Sequence, residues 1–269
     1  MPPSDVVVRP VPQRTDNYAY LVAAPGADAV VVVDASEPEP IEAALEGRRL
    51  AAVLSTHHHA DHTAANEALR ARHGAEVVGF APDAARIPAL TRGVDDGERF
   101  MIAGLAIAVR HVPCHTRGHV VYVVDGAPDA HAFVGDTLFS AGAGRLFEGT
   151  AADLHHALHD VIGALPDATW LYPGHEYTLA NLRFAALLEP ELPARRERER
   201  EAEALRADGR PTVPVRLGAE RTYNPFLRTG GAHRSAAIAA AVRAARPDVD
   251  VDDPIALLGA VRAWKDEHR

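Results

Sequence analysis

Residues 56–62 read THHHADH: three consecutive histidines, an acid two places on, and a fourth histidine. His57, His59, Asp61 and His62 put four metal-ligand side chains into one short stretch, and imidazole with carboxylate is the donor set that zinc, iron and manganese take. On extended backbone, residues two apart point the same way, so His57 and His59 can aim at one point while His58 turns elsewhere. Asp61 and His62 can serve a second point close by.

Three more donors follow downstream: His115 in VPCHTRGH, Asp136 in FVGDTLF and His175 in YPGHEYT. Each ends an apolar run and has Gly or Pro within two residues, as a tight strand-exit turn needs. Seven ligands exceed what one tetrahedral ion takes and suit two divalent ions. The spacing divides them into His57, His59 and His115 for one ion and Asp61, His62 and His175 for the other, with Asp136 bridging. Water held between two cations loses its proton near neutral pH, so this constellation predicts a hydrolase with a bridging hydroxide. Asp61 and Asp136, the carboxylates of the set, are the candidate catalytic residues. Cys114, beside His115, invites a thiol nucleophile, but no triad accompanies it and a lone cysteine reads as a small buried hydrophobe. His119 reads as a supporting or packing residue.

Nine apolar runs must position these donors: 6–11, 18–24, 29–35, 50–56, 75–81, 105–112, 120–124, 130–136 and 169–174. They are rich in Val and aromatics and bounded by Gly, Pro or Asp, which predicts nine or ten strands. Helical patterns at 40–45, 61–72 and 151–165 alternate with them, which predicts an α/β fold of sheets covered by helices. After about residue 178 the β-branched clusters give way to LANLRFAALL, a charged run at 195–206, AAIAAAVRAAR and IALLGAVRAW. The expected organisation is a catalytic domain over 1–178 and a small helical domain over 179–269, with the charged run on a solvated helix face.

Composition bounds the rest. With 269 residues, 47% apolar and 24% charged, the chain has the make-up of an ordinary folded protein with a sizeable core. A net charge of −9 argues against nucleic acid or an anionic membrane as partner. No apolar run approaches the length of a membrane span and the single cysteine forms no internal disulfide, so a cytoplasmic protein is expected.

THHHADH, CHTRGH, GDTLF and PGHEYT, in that order and spacing, resemble the metallo-β-lactamase superfamily. GDTLFSAGAGRLFEGT (135–150), GHEYTLANLRFA (174–185) and NPFLR (224–228) are similar to the glyoxalase II group, the hydroxyacylglutathione hydrolases. With DNYAYLV near the start and WKDE near the end, the resemblance spans essentially the whole chain. It implies an αββα sandwich followed by a helical domain, a monomer, and two metal ions, usually zinc and sometimes iron or manganese. It also implies hydrolysis of S-D-lactoylglutathione to D-lactate and glutathione, a step of methylglyoxal detoxification. The seven residues above match the group's ligands, and the resemblance carries glutathione contacts onto Arg145, Tyr177 and Arg228. It departs at Gly231, where a basic residue is expected in some members; whether Arg234, three residues on, replaces it is left open by the sequence. It departs also at Phe147, where some members have Tyr, and at Ala64-Ala65, where Gly-Gly is common. Competing readings are a mononuclear-iron persulfide dioxygenase, a hydrolase of another acyl thioester or a lactone, and a non-enzymatic metal-binding module.

Overall fold

A computed structural model describes residues 6–126 and 129–268. Close approaches between Cα atoms divide the chain into two units. The first holds residues up to His111, Gly118–Gly135 and Trp170–His175, and the second holds Val112–Arg117, Asp136–Thr169 and the chain from Glu176 onward. The sequence expectation cut the chain once, at 178; the spatial grouping instead gathers 112–117 and 136–169 with the C-terminal residues.

The first unit is built on two sheets. One has the order β1 (Val7–Gln13), β2 (Asn17–Ala23), β3 (Ala29–Val33), β4 (Arg49–Leu54), β5 (Glu76–Phe80) and β6 (Arg92–Val94). In the other, the strand Trp170–Pro173 runs parallel to β10 (His131–Gly135), which continues antiparallel through β9 (Val120–Val124) and β8 (Leu105–His111) to β7 (Arg99–Ile102). All nine apolar runs form strands, while β6 and β7 are short, Arg-bearing and unmarked by any apolar run.

Strand β2 shows why these runs read as continuous apolar stretches. All seven of its residues are buried because each face of the sheet is covered. Ala19, Leu21 and Ala23 share a core with Ile41 and Leu45 of α1 (Pro38–Leu45) and with Leu69 of α3 (Asn66–His73). On the opposite face Tyr20 packs against Phe133 and Tyr172 of the second sheet, at ring-centroid distances of 5.7 and 5.2 Å, and its hydroxyl donates to the Pro173 carbonyl. Each Leu or Ile buried this way contributes about 1.5–3 kcal/mol.

The helix expected over 61–72 is two pieces, α2 (Ala60–Thr63) and α3, ending at Gly74 in the left-handed conformation, φ 65°. The cause is a pair of backbone bonds to residue 35: Ala35 N–H donates to His62 O at 2.8 Å, and Ala65 N–H donates to Ala35 O at 3.0 Å. Those bonds take groups that a continuous helix would use for itself.

The second unit carries the remaining helices: α4 (Ala151–His155), which widens into a π-helix over His156–Ile162, α5 (Thr178–Leu188), α6 (Pro193–Ala207), α7 (Leu217–Tyr223), α8 (Ala236–Ala245) and α9 (Pro254–Glu267). Thr150 and Asp153 form a reciprocal capping box at the start of α4. The charged run on α6 is not a wholly solvated face. Arg195 and Arg198 are buried, with Arg195 paired to Glu199 and Arg198 donating to the Thr212 carbonyl and pairing with Glu201. Long Arg stems pack like apolar side chains while their heads find acceptors.

Candidate metal and carrier site

The exit of β4 delivers THHHADH. His57 and His62 are buried, and Nε2 of His57 lies 3.1 Å from Nδ1 of His59. Asp61, His62 and His175 form a second cluster, with Asp61 Oδ2 3.6 Å from His62 Nε2 and 3.4 Å from His175 Nε2. Within the first unit, then, five of the expected ligands gather as a pair and a triplet.

The other ring nitrogens explain why these donors face each other. His62 Nδ1 lies 3.0 Å from Asp34 Oδ2, and His175 Nδ1 lies 2.9 Å from Asp16 Oδ1. Thr56 Oγ1 donates to Asp34 Oδ2 at 2.8 Å and so offers its lone pair to His57 Nδ1 at 3.1 Å. A carboxylate or committed hydroxyl accepts the Nδ1 proton in each case, which leaves Nε2 unprotonated, its lone pair turned toward the neighbouring donors. This is the tautomer a cation needs, and partners of this kind characteristically orient metal-bound histidines. Asn17 Nδ2 donates to Asp61 Oδ2 at 3.1 Å, turning that carboxylate the same way.

Asp34 itself sits at φ 55°, in the left-handed region that Asp tolerates better than most residues. Its two oxygens serve the Thr56 N–H, the Thr56 hydroxyl and His62. Sequence reasoning missed Asp34, Asp16, Asn17 and Thr56. The available signal was an acid closing the run AVVVVD, where a strand exit aims a side chain at its neighbour's loop.

His58 is turned away, as strand alternation predicts: its Nδ1 meets the buried Asp83 at 2.9 Å, and Asp83 also holds Arg86. His119 is buried and stacked on His57 with ring centroids 4.8 Å apart. Gly135, at φ 47°, ends β10 where a Cβ would come within 2.5 Å of Thr56 Oγ1 and 2.7 Å of His119 Nε2. The glycine of GDTLF is therefore a steric requirement.

In the second unit His115 and Asp136 lie together, His115 Nε2 being 3.5 Å from Asp136 Oδ2. His115 Nδ1 donates to the Arg145 carbonyl at 3.0 Å, which puts the imidazole's one proton there and turns the Nε2 lone pair toward Asp136. Cys114 is fully buried, and burial pushes its thiol up to about 11, so it stays protonated and unreactive near neutral pH.

The segments that marked the C-terminal resemblance have structural work. Asn224 of NPFLR donates to the carbonyls of Phe139 and Gly142 at 3.1 Å each, and Asn181 donates to Ser140 O at 3.1 Å. The buried Glu220 accepts from Ala141 N–H at 2.8 Å, and burial raises its carboxyl pKa. Together they clamp the turn after GDTLF.

Of the expected carrier contacts, Tyr177 caps α5 with its ring edge-on to Phe139 at 5.2 Å. Arg228 is engaged by Glu189 through Nε and Nη2 at 3.0 and 2.9 Å. Arg234 donates to the Val251 carbonyl. Arg145 is exposed, 3.4 Å from Asp266 of α9. Around Asp266 the unit concentrates cations that sequence reasoning passed over. Arg262 pairs with Asp266 at 3.1 Å, and Lys265 reaches Ala180 O at 3.5 Å on α5, one turn from Arg183. Burial, then the charges of Arg262, Arg183 and Arg145, lower the pKa of Lys265. Arg262 and Lys265 stand three apart on one helix, the spacing that puts both on one face.

The family model of the metallo-β-lactamase superfamily matches residues 13–175, and that of the hydroxyacylglutathione hydrolase C-terminus matches 176–268. The hydroxyacylglutathione hydrolase of Chromohalobacter salexigens is 43% identical over 97% of this chain and 99% of its own. That of Alkalilimnicola ehrlichii is 44% identical over 96% and 97%. Among solved structures, ETHE1 from Myxococcus xanthus superposes with a TM-score of 0.63 over 98% of this chain and all of that one, at 23% identity, a likeness of fold alone. TTHA1623, solved in a di-iron-bound form, gives a TM-score of 0.52 at 28% identity over 62% of this chain and 91% of that one. An α/β fold with a helical C-terminal region, paired His and Asp donors suited to divalent metal, and full-length similarity to named relatives place the chain in the hydroxyacylglutathione hydrolase family of the metallo-β-lactamase superfamily.

Proposed function

We propose that the chain hydrolyses S-D-lactoylglutathione to D-lactate and glutathione, as a cytoplasmic monomer with a catalytic region over 1–178 and a carrier-binding region over 179–269. In this reading His57, His59 and His115 hold one divalent ion and Asp61, His62 and His175 the other, with Asp136 serving both. The observation that carries it is the set of four imidazoles, His57, His62, His115 and His175, whose Nδ1 is committed to an acceptor and whose Nε2 faces other donors of the set. Cations bound there would polarise a thioester carbonyl and lower the pKa of water. Zinc is the ion expected here, with iron and manganese as the alternatives.

The protein's own groups do the rest. Asp34, Asp16 and the Arg145 carbonyl accept the Nδ1 protons and keep the imidazoles aimed. The excess of cations around Asp266 suits the carboxylates of a peptide thiol, and Arg145 and Lys265 would hold them there, Tyr177 flanking. A glutathione thiol has a pKa near that of cysteine, about 8.5, so the thiolate leaves without a dedicated acid. Arg228, with its carboxylate partner, has Nη1 for the same task.

The test is thioester hydrolysis and elemental analysis on one preparation. The expected outcome is loss of S-D-lactoylglutathione absorbance, abolished by a chelator and restored by zinc. An intact thioester with two equivalents of metal bound would sink the reading, whereas oxygen uptake with glutathione persulfide at one iron per chain would replace it with a dioxygenase.

A further inference from the structure

The turn that carries His115 is held from one side by a single stretch of chain. His115 Nδ1 donates to Arg145 O at 3.0 Å, and the Phe147 ring stands edge-on to His115 at 5.2 Å. Two residues beyond His115, the backbone N–H of Arg117 donates to Glu148 Oε2 at 2.6 Å. Gly149 lies so close to the Cys114 backbone that a Cβ there would come within 2.5 Å of the Cys114 Cα. The stretch is itself anchored, because Thr150 caps α4 with Asp153 and the Arg117 side chain reaches Asp153 at 3.2 Å.

Of these contacts only the Glu148 bond joins a charged side chain to the backbone of the turn. A charge-assisted bond of this length is about twice as strong as a neutral one. Glu148 is itself half-buried, and the bond it accepts lies at the surface beside the exposed Arg117. The turn has no helix or strand of its own from Val112 to Arg117, so its shape depends on such outside contacts. We propose that Glu148 is a positioning residue for the metal centre: by accepting the Arg117 N–H it fixes the turn that aims His115 Nε2. This rests on the reading of His115 as a ligand and adds a residue that the ligand set does not contain.

Zinc-loaded full-length protein, challenged with a chromophoric chelator, tests it without a turnover assay. Glu148→Ala should release zinc about tenfold faster than the wild type, the usual effect of removing a partner that orients a ligand. Glu148→Gln should release it at a rate between the two, since the amide oxygen still accepts the Arg117 N–H but without the charge. Arg117→Ala keeps that backbone donor and loses only the exposed pair with Asp153, so it should release zinc far more slowly than Glu148→Ala. The metal-free forms of all four should melt alike, which a general folding defect would not allow. Wild-type release from Glu148→Ala, equally fast release from Glu148→Gln, or fast release from Arg117→Ala would each overturn the proposal. A wild-type chain that takes up no zinc would instead remove the metal reading, a failure with its own signature.

Discussion

At the scale of single residues, the atoms behind the ligands matter as much as the ligands. Asp34 holds His62 and, through Thr56, His57, so one carboxylate sets the tautomer of two imidazoles. Asp34→Asn keeps a residue that tolerates φ 55° but removes the charge. Zinc affinity, measured by competition with a chelator of known constant, should fall about 10- to 100-fold. An unchanged affinity would show that the hydroxyl of Thr56 suffices. The candidate ligands were visible in the sequence because their types are rare in such density at strand exits. Asp34 and Asp16 were not, since a lone acid between strands looks like any turn former until the fold brings it to an imidazole. Lys265 and Arg262 were hidden in the same way, two cations in a chain with many. Arg228, by contrast, was visible in the NPFLR signature, yet its Nε and Nη2 are taken by Glu189.

At the scale of elements, the strands were readable because β2, β3, β9 and β10 are covered on both faces and so show continuous apolar runs. Strands β6 and β7 escaped that signal, being short and Arg-bearing. The break between α2 and α3 was illegible for another reason: it is made by Ala35, distant in sequence, whose backbone competes for the groups of residues 62 and 65. That junction ties the ligand loop to the core through Leu69, which is completely buried against Ile41 and Leu45. Leu69→Ala should therefore cost about 2–5 kcal/mol of unfolding free energy in denaturant titration. A loss below 1 kcal/mol would mean that the helix face contributes little. The charged run on α6 shows the opposite error of pattern reading, because Arg195 and Arg198 spend their length inside the unit while their heads stay paired.

At the scale of the whole molecule, the ligands come from strand exits spread between residues 57 and 175. Bound metal favours the native chain over the unfolded one, which cannot gather them. At a free ion concentration of 1,000 times Kd that preference is worth about 4 kcal/mol. Stripping the metal should lower Tm, and calorimetry with and without chelator checks it; identical melting would show that these donors do not hold an ion.

Arg145 belongs to two circuits at once. Its carbonyl fixes the proton of His115, while its guanidinium faces Asp266 at the edge of the cationic corner. If the proposed ion and carrier sit there, a shift of this one residue would reach both, and an anion drawn to its side chain would alter how firmly the imidazole is aimed. Thermodynamic reciprocity makes that exchange even-handed: whatever factor the anion adds to the hold on the ion, the ion returns to the anion.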